Sequence, residues 1–137
     1  MKKLILFSSI LIILAITIGM YLRKDNIQPT YDISSPEAVV KVYFLALNNK
    51  DSKFIETTIT DKDSHIRTKT SDLVSAELLE LNKYTYTDEK VTFRVKYSLQ
   101  LKKGKDMVGE NGINSKFITL FKDNENNRWI IRDIGEG

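Results

Sequence analysis

The chain has 137 residues, with 21 Lys and Arg against 18 Asp and Glu, and no cysteine. The missing thiols exclude cysteine catalysis, thiolate metal sites, disulfides and lipid attachment through an N-terminal Cys. The formal charge of +3 belongs to residues 1–24, which hold Lys2, Lys3, Arg23 and Lys24 and no acid, so residues 25–137 carry a net −1. A segment this close to neutrality lacks the electrostatic footprint for a phosphate backbone, and no nucleic-acid partner is expected.

Leu4 to Leu22 is a run of 19 residues without a charge. At about 1.5 Å per residue a helix of that length spans roughly 28 Å, close to the hydrocarbon thickness of a bilayer. A cleaved signal has a shorter apolar stretch followed by a small-x-small site. Here the best such site, Thr17-Ile18-Gly19, lies inside the run, and Tyr21 and Arg23-Lys24 close the run as an interfacial boundary would. Residues 1–24 are therefore expected to be an N-terminal signal anchor, a single-pass transmembrane helix in the cell membrane through residues 4–22. The domain that follows is then extracytoplasmic; cleavage and secretion is the alternative.

Residues 25–33, with Pro29, show no sustained period and read as a linker. A helix start follows: Ser35 can cap, Pro36 suits the first helical position, and Glu37 places negative charge in the first turn. Ser34 with Glu37 offers a competing capping box. Val39, Val42, Tyr43 and Ala46 set a helical period to about Asn49, widened by Val40, Phe44 and Leu47. Asp51 can cap a second, short helix over about 52–59 that buries Phe54, Ile55 and Ile59.

Residues 60–72 are polar and irregular in pattern. From about residue 76 a strand is expected, with Leu79 and Leu81 alternating and Tyr84 and Tyr86 adding β propensity. After a turn at Thr87–Lys90 comes the clearest strand: Val91, Phe93, Val95, Tyr97, Leu99 and Leu101 alternate without a break with polar residues. One face must meet a core and the other water. Gly104, Gly109 and Asn111-Gly112 mark a loop, and strands over about 115–122 and 128–134 are joined by Asp123 to Asn127. Helices first and then an antiparallel meander make the fold class α+β.

With these elements in place, residues 34–137 resemble the NTF2-like superfamily. The resemblance rests on Ser35-Pro36-Glu37-Ala38-Val39-Val40 with Tyr43-Phe44-Leu45-Ala46-Leu47, then Asp51, and on Trp129-Ile130-Ile131 with Asp133-Ile134-Gly135-Glu136-Gly137. It is closest to small exported bacterial domains with the same opening and a closing W-x-I-x-x-I-G-x-G. The resemblance implies a cone: a long helix and a short one packed on a curved antiparallel sheet. In such a fold Trp129 would close the wide end of the core, and Gly135 and Gly137 would serve the backbone at the sheet's end. The superfamily hosts isomerases, hydrolases and binding modules alike, so it implies little chemistry.

No motif supplies the chemistry instead. Asp61, Asp63 and Asp72 are spaced roughly as in a calcium loop, but Ile66 stands where the sharp turn needs Gly and the closing residue is Asp rather than Glu. The single histidine, His65, sits in that polar stretch and reads as a surface residue. Tyr43, Tyr84, Tyr97 and Asp133 are the groups a cone could turn inward, yet they form no catalytic pattern. Arg94, Lys96 and Lys102 line one face of the clearest strand, where they read as a solvated outer surface that could meet an acidic partner. No catalytic, cofactor-binding or metal residue is assigned and no cofactor is expected. The function expected is a non-enzymatic binding or cell-envelope accessory module for a protein or small-molecule ligand; the alternative is a pocket enzyme acting on a small apolar substrate.

Overall fold

The computed structural model describes residues 29–60, 70–105 and 111–136. The expected anchor, residues 25–28 of the linker, His65 with Asp61 and Asp63, Gly109 and Gly137 lie outside these residues. Among the described residues no helix is long and apolar enough to cross a membrane.

Helix α1 is Pro36–Asn49. Ser35 settles the competing caps: its backbone is extended, and its Oγ accepts the Ala38 N–H at 3.1 Å. Ser34 takes no part in a box; its own N–H donates to Asp32 Oδ1. At the other end Lys50 adopts a left-handed conformation with φ 60°. Its N–H reaches Leu47 O while the Asp51 N–H reaches Ala46 O, so the last carbonyls are satisfied by a Schellman-type closure.

Asp51 then caps α2, Ser52–Phe54, by accepting the Phe54 N–H at 3.1 Å. The helix widens into a π-helical turn over Ile55–Ile59, closed by Thr60, whose N–H donates to Ile55 O. Ile55 and Ile59 are buried and Phe54 packs on the core, as their spacing indicates. Tyr31 and Ile33, in the expected linker, also pack against the core. The Tyr31 ring lies 4.2 Å from that of Phe54, and its hydroxyl donates to Asp51.

The sheet is an antiparallel meander in the order β1-β2-β3-β4: Leu73–Tyr86, Lys90–Leu101, Gly112–Asp123 and Arg128–Gly135. The domain is therefore α+β, with helices followed by a four-stranded sheet. Both later strands begin close to where the sequence places them, β3 a few residues early. Gly112, with φ 97°, opens β3, and the Asn111 side chain accepts the Leu101 N–H, closing the loop between β2 and β3.

On β2 every second residue from Val91 to Leu101 is buried, and Phe44 of α1 lies 5.0 Å from the Tyr97 ring on that side. The unbroken alternation thus faces the helix, as the sequence requires. Val39, Val40 and Phe44 meet Phe93, Leu99, Ile118, Leu120 and Ile131 in one core, with Trp129 packed at its side.

β1 departs from expectation. Its pairing with β2 skips one residue between Leu73 and Ser75, between Leu78 and Glu80, and between Lys83 and Thr85. Val74, Leu79 and Tyr84 are thus extra residues, and each is exposed. The residues of β1 opposite the buried set of β2 are Leu73, Ala76, Leu78, Leu81, Lys83 and Tyr86. Residues directly opposite one another share a face of the sheet. Leu78 and Leu81, rather than Leu79 and Leu81, are therefore the leucines that pack on the core. Each bulge bends the strand and increases its twist.

Helix α1 holds this edge strand at two points. Asn48 Oδ1 accepts the Ala76 N–H at 3.1 Å, and Glu37 pairs with Lys83 at 2.8 Å. The Lys83 ammonium holds the Glu37 carboxyl below its ordinary range, mainly through that hydrogen bond and against a smaller desolvation effect. At the far turn, Asp123 is lowered chiefly by the Asn126 side chain, with Arg128 contributing.

Gly135 corrects a further expectation. It lies within β4 without a left-handed backbone, and an added Cβ would meet the Asp133 carboxylate at ordinary contact distance, 3.5 Å from Oδ2 and 3.9 Å from Oδ1. Nothing in its conformation requires glycine.

Candidate binding face

The space between α1 and the sheet is filled. Phe44, Phe93, Leu99, Ile118 and Leu120 are almost wholly buried there, and no buried side-chain nitrogen or oxygen among the described residues is left without a partner. Of the four groups that a cone could turn inward, Tyr43 and Tyr97 are buried with Phe44, whose ring both approach. The other two are not. Tyr84 is 66% exposed, because it is a bulge residue of β1. Asp133 is exposed and pairs in register with Thr119, whose hydroxyl lies 3.0 Å from that of Thr92, on the sheet face away from the helix. The structure does not bring these four together.

Among the described residues, an accessible concavity lies on that outer face. It is a depression of about 370 Å³ lined by Glu80 and Asn82 of β1, Arg94 and Lys96 of β2, and Ile113 and Ser115 of β3. The register explains the grouping: Glu80 and Ser115 both oppose Lys96, and Asn82 opposes Arg94. Lys96 Nζ reaches Glu80 Oε1 at 2.9 Å, so this cation is already paired. Arg94 has no ion pair or hydrogen bond among the described residues. Its cross-strand neighbour is Phe117, and the Tyr84 ring reaches over β2 to lie 4.9 Å from the Phe117 ring, edge to face.

Further along the face, Phe121 carries the Lys90 ammonium at 5.4 Å and the Arg132 guanidinium at 5.2 Å from its ring centre. Cations stacked on aromatic rings keep their charge exposed while burying their stems. The outer face is thus a solvent-exposed mixture of basic, acidic and aromatic groups, with Glu80 and Asp133 on it as well. Arg94 and Lys96 were legible as part of it from the alternation of β2. Lys102, the third of that set, is exposed but lies beyond the end of β2. Glu80 and Asn82 could not be assigned to this face, because the bulges break the parity of β1. Ile113 falls within a stretch that reads as loop, although it is 68% exposed on the sheet surface.

Among the described residues no group of three or more His, Asp or Glu could hold a metal ion. Lys116 and Glu136 pair at 3.1 Å at the end of β4, and Lys83 lies 4.9 Å from the Tyr86 ring; both are surface arrangements. The depression offers a guanidinium without an ion pair among the described residues, an ammonium paired with a carboxylate, the polar residues Asn82, Asn114 and Ser115, and Ile113 beside them. No protein-family model, curated protein or solved structure matches the chain.

Proposed function

We propose that the chain is a membrane-anchored, extracytoplasmic NTF2-like module of the cell envelope that binds a partner through the outer face of its sheet without catalysing a reaction. The observation that carries this reading is the division of the sheet. Its helix-facing side buries Phe44, Phe93 and Leu99 almost completely, while an accessible depression among the described residues lies on the opposite side around Arg94. The meander beneath a long capped helix is compatible with the cone that the opening and closing motifs imply. A pocket enzyme of the isomerase type asks for ionisable groups meeting in an open interior. With Tyr84 and Asp133 on the outer face, that alternative has less to build on.

The anchor part rests on the 19 uncharged residues from Leu4 to Leu22. Fractionation of cells expressing the full chain tests it. The protein is expected in membranes with its N-terminus intact, and its C-terminal region accessible to protease added outside. Replacing Leu11 and Leu14 with Arg is expected to release it, since each central charge costs roughly 2.5–3.5 kcal/mol on insertion. Soluble full-length product, or a mature N-terminus after residue 19, overturns the anchor.

A further inference from the structure

We propose that the depression around Arg94 is a docking site for an extended acidic peptide, one that places a Glu or Asp side chain between two apolar residues. This rests on the binding-module reading above and names the chemistry of its partner.

The argument begins with Arg94. A guanidinium presents a planar fork of donors that matches a carboxylate in two parallel hydrogen bonds. In this depression Lys96 is tied to Glu80, and Arg94 is the cation with no anion among the described residues. The charge that complements the site is therefore negative, and one carboxylate suffices.

The apolar groups fix the rest. Ile113 and Phe117 stand four residues apart on β3, about 13 Å along the strand. Arg94 is directly opposite Phe117, and Ser115 lies between the two apolar positions. A segment in extended conformation advances about 3.3 Å per residue, so its residues i and i+4 span the same distance. Such a segment can lay one apolar side chain against Ile113 and another against the Tyr84–Phe117 pair, with a carboxylate between them over Ser115, in the depression that Arg94 also lines. The depression, at about 370 Å³, is large enough to hold the central side chains. A phosphate or lipid headgroup would use the cation but not the two separated apolar contacts, and the near-neutral domain gives a nucleic acid too little to hold.

The test uses the full chain in non-ionic detergent and fluorescein-labelled pentapeptides with Leu at both ends and Glu or Gln at the centre, read by anisotropy. The Glu peptide is expected to saturate below ~1 mM, about −4 kcal/mol. The Gln peptide should bind about tenfold more weakly, the loss expected for a charge-assisted hydrogen bond. Arg94→Ala should abolish the preference for Glu over Gln, whereas Ile113→Ala should weaken both peptides and keep the preference. Arg94 is exposed, and an unchanged melting curve for its variant confirms that folding is intact.

Equal binding of the two peptides, a preference that survives Arg94→Ala, or full competition by inorganic phosphate or by phosphatidylglycerol added to the detergent micelles overturns the proposal. A photo-crosslinker at position 113 in native membranes separates the two levels. A crosslinked partner that shows no acid preference removes the peptide assignment and leaves the binding module. Absence of any crosslink from this face removes both.

Discussion

β1 and β2 run side by side, yet β1 uses 14 residues from Leu73 to Tyr86 where β2 uses 12 from Lys90 to Leu101. β2 is paired on both sides and keeps strict alternation along its whole length. β1 is an edge strand and takes up three extra residues, at Val74, Leu79 and Tyr84, evenly spaced by five. A central strand cannot admit an extra residue without disturbing two ladders at once. An edge strand disturbs one, and gains a bend and an edge that resists pairing with another chain. The same device carries Tyr84 onto the outer face beside Phe117, so the irregular strand helps to build the proposed docking site.

The widest test of this contrast is a change of parity. Inserting one Ala between Val95 and Lys96 would send half of the buried set of β2 to the solvent side. At roughly 1.5–3 kcal/mol for each large side chain, the loss reaches a typical domain's whole stability, and cooperative urea unfolding is expected to disappear. Deleting Leu79 instead leaves Leu78 and Leu81 on the core face with regular alternation between them. It is expected to cost about 1–2 kcal/mol at most, on the scale of typical single changes. Equal damage from the two changes would show that the edge strand tolerates no more than the central one.

Single substitutions sharpen the contrast within one strand. Phe93 is 1% exposed, and Phe93→Ala should destabilise by ~3–5 kcal/mol, with Val95→Ala costing less. Arg94→Ala and Leu79→Ala, both exposed, should stay within ~0.5 kcal/mol in the same urea titrations. A Leu79 variant as damaging as Phe93→Ala would place that leucine in the core and restore plain alternation to β1.

The smallest expected effect concerns the tie between α1 and β1. The Glu37 carboxyl is lowered from 4.5 in the fold by Lys83. A lowered folded-state value means that its contribution is present above pH 4.5 and fades as pH falls through the folded-state value, where both states become protonated. Because the paired side chains are 48% and 37% exposed, the contribution is about 0.5 kcal/mol or less. Stability curves of the native chain and of Lys83→Met should differ by this amount at neutral pH and converge in acid. A difference that grows in acid would contradict the pairing.

Much of the fold was legible because it is encoded locally. Ser35, Pro36 and Glu37 mark a helix start whatever lies around them, since capping satisfies the N–H groups of that same turn. Asp51 works in the same way for the next helix. The choice between Ser34 and Ser35 was not legible, because both spacings are locally sound and the outcome depends on Asp32 taking the Ser34 N–H. The strand β2 could be read residue by residue, and with it the outward position of Arg94 and Lys96. The core-facing positions of β1 recur at intervals of three, two, three, two and three. That rhythm matches neither the strand period of 2 nor the helical period of 3.6, so pattern reading picked out Leu79 in place of Leu78.

The amino-acid sequence by itself determined the element order, the extent of α1 to within a residue at its start and the face of β2 that is buried, because caps and alternation act between residues close along the chain. It also carries the apolar run from Leu4 to Leu22 on which the proposed anchor rests. Tertiary structure alone decided which residues meet on the outer face. Glu80 reaches Lys96 and Tyr84 reaches Phe117 only through the register that the three bulges set. Register is a property of two strands together, fixed by how their buried sets interlock against α1. No stretch of either strand read alone contains it.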